Sequence, residues 1–135
     1  MRVFVFMAAS ATLTGCVTTV DLSDATSRDL NTSEKSVISR AVSNSLKDPD
    51  SAKFKWLPLV TARASAAYCG LVNGKNSYGG YAGYNHYVVR VTFSPTHEIA
   101  DAKVVGVSTG PNEYGMDPFA GSCATFGYKD FTQAK

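Results

Sequence analysis

Apolar residues recur at helical spacing in one part of this chain. In residues 32–47, TSEKSVISRAVSNSLK, Val37, Ile38, Ala41, Val42 and Leu46 fall on one stripe. Asn31 or Ser33 can cap the start, and Glu34 and Lys47 suit the positive and negative ends of the helix dipole. Asp48-Pro49 ends the helix, because the residue before a proline is pushed out of the helical region. Downstream the period changes to two. Asp48 to Ser51 form a turn. Phe54, Trp56 and Leu57 open an extended segment that Pro58 confines to an edge or breaks. Ala66 to Asn73 predict a second strand, with Asn73-Gly74 as the turn after it. The cleanest alternation is NHYVVRVTFS: Tyr87, Val89, Val91 and Phe93 point one way, and His86, Val88, Arg90 and Thr92 the other. Pro95-Thr96-His97 turns the chain into a further strand centred on Ala102 to Val107, which completes an antiparallel hairpin. Gly110 to Lys135 are rich in glycine, proline and aromatics, with Phe126 and Tyr128 as a short strand. The pattern predicts an α+β fold with no visible internal repeat. One N-terminal amphipathic helix packs on a three- to four-stranded antiparallel sheet.

The first residues, MRVFVFMAASATLTGCVTTV, follow a different rule. Arg2 precedes a mostly apolar run from Val3 to Thr12, too short to span a bilayer as a helix, as in a secretory signal. Leu13-Thr14-Gly15-Cys16 resembles a bacterial lipobox, in which the cysteine becomes the first mature residue and carries lipid on its sulfur and amine. The alternative is an ordinary cleaved signal with Cys16 as a bystander. The lipobox resemblance implies a signal peptide over residues 1–15 and a lipidated Cys16. The composition then makes 16–31 the lipidated cysteine with a Thr/Ser/Asp-rich flexible tether, and 32–135 a single domain. Each buried lipid methylene contributes roughly 0.8 kcal/mol, and two or more chains anchor stably where one does not. The partner at this end is therefore a lipid bilayer. Val17 is not the Asp that marks inner-membrane retention in such proteins, so the expected location is the outer membrane, facing the periplasm.

The formal net charge of +2 falls by one when Arg2 is removed. No dense basic run is present, so nucleic-acid binding has no electrostatic footprint. With Cys16 lipidated, Cys69 and Cys123 remain as an even pair in an oxidising compartment, which predicts a disulfide. Two reactive thiols are the alternative, but there is no Cys-x-x-Cys and no neighbouring lysine or histidine to lower a thiol pKa.

Catalytic patterns are missing. His86 and His97 complete no zinc spacing, so no metal and no cofactor are expected. There is no Gly-x-Ser-x-Gly elbow. Gly74-Lys75-Asn76 fails as a phosphate loop, because no glycine precedes it at the right distance. Glu98, Asp101, Glu113 and Asp117 lie in or near predicted loops and form no recognisable acid pair.

The stretch KNSYGGYAGYNHYVV remains. Its tyrosines, Tyr78, Tyr81, Tyr84 and Tyr87, recur every three residues, which is not a strand period, and Gly79, Gly80 and Gly83 free the backbone. Tyrosine, asparagine and glycine together are the chemistry of adaptable contact surfaces. The alternative is a glycine-rich connection with tyrosines covering a sheet edge. Asp48, Pro49, Ser51, Ala52 and Phe54 form a DPxSAxF turn. Lys75 to Gly83 form a KNxxGGYxG segment. The pair resembles a group of small exported bacterial proteins, many of them lipoproteins, across roughly residues 46–93. The resemblance implies a shared fold and carries over no activity.

The expected function is a membrane-anchored envelope lipoprotein acting as a non-enzymatic binding or accessory module for a protein or glycan. Lys75, Asn76, Tyr78, Tyr81, Tyr84 and His86 are the expected contact residues. The alternatives are a lysozyme-inhibitor-like lipoprotein, which the near-neutral charge weakens, and a cell-wall hydrolase.

Overall fold

A computed structural model describes residues 20–63 and 65–135. The predicted signal over 1–15 and the lipidation site Cys16 lie outside the described residues.

Helix α1 spans Thr32–Ser43. Asn31 is its cap: the side-chain oxygen accepts the Glu34 N–H at 2.9 Å, and Glu34 accepts the Asn31 N–H at 3.0 Å, a reciprocal capping box. Ile38 and Val42 point inward and are fully buried. Burying each contributes roughly 1.5–3 kcal/mol.

Among the described residues, six strands form two antiparallel sheets. The four-stranded sheet has the order β2 (Lys53–Lys55), β4 (Ala67–Asn73), β5 (Asn85–Phe93), β6 (Ile99–Val107). The smaller sheet pairs β1 (Thr26–Arg28) with β3 (Leu59–Thr61). Helix α1 packs on β6 and β5. A second helix, α2 (Pro118–Thr125), packs against β5. Pro118 occupies its first turn, and Asp117 caps it by accepting the Phe119 N–H at 2.8 Å. Cys123 of α2 is disulfide-bonded to Cys69 of β4, with Cα atoms 5.9 Å apart. By register Cys69 lies beside Val88 on the same sheet face, so the bond fixes α2 to that face.

The expected fold, one N-terminal helix on a three- to four-stranded sheet, is therefore corrected. The described residues form two α-helices and two sheets, and a strand precedes the first of those helices. Thr26–Arg28 lie in the stretch read as tether, yet they pair with β3, and Leu30 is buried. Pro58 interrupts the segment after β2, and the chain then enters the other sheet as β3. Phe126 ends α2, and Gly127, at φ 92°, leads out of it. Tyr128 is a buried side chain whose hydroxyl accepts the Val60 N–H at 3.0 Å; it is not part of a strand.

Glu34 ties the N-terminal pieces together. Its buried carboxylate receives both Arg28 guanidinium nitrogens, at 2.8 and 2.6 Å, and the Ile99 N–H at 2.9 Å. The Arg28 pair, helped by the Asn31 and Ile99 N–H groups, outweighs burial and holds the carboxyl at a pKa of about 2. Arg28 also donates to the His97 carbonyl, so β1, α1 and the β5–β6 turn meet at one end of the sheet.

Candidate functional site

The opposite end of the sheet carries the tyrosines. Loop 74–84 leaves β4 there, and loop 108–117 follows β6 at the same end, because β5 begins where β6 finishes. The two loop bases are neighbours: the position of a Cβ on Gly110 lies 3.9 Å from Asn85 Oδ1.

Each loop contains the same five-residue turn. In the first, Asn76 Oδ1 accepts the N–H groups of Tyr78 (3.0 Å) and Gly80 (3.1 Å), and the Asn76 N–H donates to the Gly80 carbonyl (2.8 Å). In the second, Asn112 Oδ1 accepts the N–H groups of Tyr114 (2.9 Å) and Met116 (3.0 Å), and the Asn112 N–H donates to the Met116 carbonyl (2.8 Å). The fourth residue is a glycine with positive φ in both, Gly79 at 80° and Gly115 at 73°. An asparagine side chain thus replaces backbone partners and fixes a tight turn. Its third residue stands in solvent: Tyr78 is 97% exposed and Tyr114 76%.

Lysines surround the first turn. Lys53 Nζ lies 4.3 Å from the centre of the Tyr81 ring, and Lys75 Nζ 5.8 Å from it; Lys55 Nζ lies 4.8 Å above Tyr84. Lys47 donates to Ser77 Oγ at 2.8 Å. Cation–ring contacts of this exposed kind contribute about 0.5–1 kcal/mol each. They hold the rings and leave ammonium groups available to an anionic partner.

Ser51 joins the DPxSAxF turn to the KNxxGGYxG segment. Its hydroxyl accepts the Lys75 N–H at 2.9 Å and donates to the Asp48 carbonyl at 2.8 Å. The Ser51 carbonyl accepts the Tyr81 hydroxyl at 3.0 Å. Lys75, Asn76, Tyr78, Tyr81 and Tyr84 therefore come together, though Tyr81 is also a brace. Tyr87, in the same tyrosine series, is fully buried. His86 stands apart from the exposed rings. Its Nδ1 lies 2.7 Å from Asp117 Oδ2, and Phe131 meets the ring edge-on with centroids 4.3 Å apart. Burial works against ionisation of Asp117, but hydrogen bonds from His86, the Phe119 N–H and Ser108 outweigh it, and its carboxyl titrates below the usual range. A carboxylate on Nδ1 orients the imidazole and joins β5 to the cap of α2.

The remaining acids do not converge. Glu98 accepts the Asn31 amide at 2.8 Å at the far end of the sheet, and Asp101 sits within β6. Among the described residues no three His, Cys, Asp or Glu side chains gather as a metal set. No helix among them is long and apolar enough to cross a membrane. Sequence reasoning missed Tyr114. The signal was present, as NSYGG and NEYGM, but five residues are too few to read as a repeat before their hydrogen bonds are seen. No protein family, curated protein or solved structure matches this chain.

Proposed function

We propose that this chain is a bacterial envelope lipoprotein, acylated at Cys16, whose folded part is a non-enzymatic binding module for a protein or glycan. The carrying observation is the doubled turn. Two loops at one end of the sheet use the same asparagine geometry to lift a tyrosine into water, and neither ring serves the core. Exposed aromatic rings on rigid turns are contact chemistry with a small ordering cost. Lys47, Lys53, Lys55 and Lys75 favour a partner that is negative where it touches. A cationic lysozyme would meet these lysines unfavourably, which tells against the inhibitor reading. Residue 17 is Val, which favours the outer membrane facing the periplasm. The N-terminal strand reaches the sheet near the β5–β6 turn, so an anchor ahead of it leaves the tyrosine end free to meet a partner.

The test uses the acylated mature protein, immobilised in detergent, against envelope extract. A second sample carries Tyr78→Ser and Tyr114→Ser, two exposed changes that leave the fold intact. The expected result is a protein or glycan retained by the parent and lost by the variant. Equal retention by both would remove the tyrosine end from the binding surface. Mass spectrometry of the mature N-terminus checks the anchor: an unmodified Cys16 would sink that part of the reading.

A further inference from the structure

The sheet face that carries α2 is only partly covered. Between α2 and strands β4 to β6 runs a cleft of about 670 Å³, lined mainly by Ala67, Val88, Val105, Phe119 and Phe126. Its size falls within the roughly 300–1,000 Å³ of ordinary small-molecule sites. Two local features open it. Gly106 admits the Phe119 ring, which a Cβ there would strike, so α2 docks at one side of the face. The register shift between Val88 and Val89 leaves Val105 as the extra residue of a β-bulge, 57% exposed at the cleft wall.

Arg90 is the single charged residue in the lining. The ion pairs among the described residues are Arg28–Glu34, Arg63–Asp24 and His86–Asp117, and Arg90 takes part in none. Directly across from it on β6 is Lys103, also exposed. Like charges facing each other on neighbouring strands repel. The nearest carboxylate by register is Asp101, two positions along β6, and it forms no ion pair with either cation. Arg90 therefore stands unpaired on the wall of an apolar cleft, with a second unpaired cation, Lys103, beside it on the next strand, just outside the lining.

We infer that this cleft binds one fatty-acid anion, with the alkyl chain against Val88, Val105, Phe119 and Phe126 and the carboxylate at Arg90 and Lys103. A single chain suits a single apolar trough with one cation on its wall and a second beside it. An anionic head relieves the repulsion between Arg90 and Lys103, and the chain removes the exposed valine and the phenylalanine rings from water. The site lies on the face of the sheet, apart from the tyrosine turns at its end, and does not depend on them.

Calorimetric titration tests this, using the full chain with Cys16→Ser, its disulfide formed, and laurate below its micellar concentration. Saturable one-to-one binding is expected. Dodecanol, the same chain without charge, should bind at least ten-fold more weakly, and so should laurate to Arg90→Gln. Gly121 lines the cleft, and a Cβ added there meets nothing within 4 Å, so Gly121→Phe sets a ring at the cleft and should abolish binding. Val105→Asp, which sets a carboxylate on the wall, is the second variant and should abolish it too. An unchanged melting temperature qualifies each variant. No laurate binding overturns the inference, as does equal binding by Arg90→Gln and both filled or charged variants, or equal affinity for dodecanol. Binding to phosphatidylglycerol vesicles without binding laurate reassigns the face to a membrane. A dimer that Gly121→Phe dissociates, with no laurate bound, reassigns it to a second copy.

Discussion

Tyr87 shows how much one atom matters in this core. Its ring is fully buried, with Phe54 meeting it edge-on at 6.0 Å, yet its hydroxyl makes no hydrogen bond of good geometry, the Tyr68 hydroxyl being its one polar neighbour of consequence. Burial pushes the phenol pKa well above its usual value. A buried polar group left unpaired costs about 1–3 kcal/mol. Tyr87→Phe should therefore raise the stability of the protein by about 1 kcal/mol, seen as a higher urea midpoint at unchanged slope; a lower midpoint would mean that the hydroxyl has a partner. Gly70 makes room for that same ring, since a Cβ there would lie 2.5 Å from the hydroxyl oxygen. Gly70→Ala should destabilise by about 1–3 kcal/mol through overpacking. Glu34 gives a pH prediction. Its folded pKa of about 2 lies below the value of about 4.3 expected for an unfolded glutamate. The lowered value means that its contribution is fully present above the unfolded pKa and is lost as pH falls toward 2. Denaturation midpoints should fall between pH 4.5 and 2, and Glu34→Gln should flatten that slope. An equal slope in the variant would assign the acid sensitivity to other carboxylates.

At the scale of elements, α2 depends on two unlike restraints: the disulfide to β4 and the seating of Phe119 over Gly106. The disulfide closes a loop spanning a sequence separation of 54. By the chain-entropy relation, a bond of that span contributes roughly 4 kcal/mol, most of it by restricting the unfolded chain. Cys69→Ala with Cys123→Ala should lower stability by about that amount. Hydrogen exchange should rise first in Pro118–Thr125, and protection of α2 equal to that of β5 would show that packing alone holds it. The legibility of each element follows from its length. Strands β4, β5 and β6 are long enough for alternation to register, and α1 long enough for a stripe. Strands β1, β2 and β3 have three residues each, less than two periods, so their pairing is decided by tertiary contacts such as Arg28 with Glu34. Helix α2 has eight residues, and its readable signal was Asp117-Pro118, a cap followed by a first-turn proline, inside a segment that looked irregular. Val88 lies on the outward face of the alternation and is buried nonetheless, because α2 covers it. The loop residues around Tyr78 were readable as contact chemistry. The pairing of His86 with Asp117 and the bracing of Tyr81 by Ser51 were not, since each joins segments far apart in the chain.

The whole molecule separates its surfaces by direction. The Arg28–Glu34 cluster closes one end of the four-stranded sheet, the tyrosine turns and four lysines crown the other, and the cleft opens on the face beside α2. The formal charge of the chain is small, yet lysines gather at the tyrosine end, so average charge hides a local field. That field gives binding at this end a particular signature. Exposed charges are screened beyond about 10 Å at 0.1 M salt and about 3 Å at 1 M. Retention of the envelope partner should fall steeply between these concentrations, and Lys53→Gln with Lys55→Gln should reduce both the retention and its salt dependence. Tyr78→Ser should lower retention while leaving the salt dependence nearly unchanged, because it removes ring contact and no charge. The two turns supply a further distinction. If Tyr78 and Tyr114 meet one partner together, changing both should cost at least the sum of the single losses, since the second contact is made at high effective concentration once the first is held. If only one turn touches the partner, the double variant should match the more damaging single variant. Laurate added to the same sample should leave retention unaltered, as the cleft and the tyrosine end share no residue. Competition between the two would mean that the partner wraps from the end of the sheet onto the α2 face.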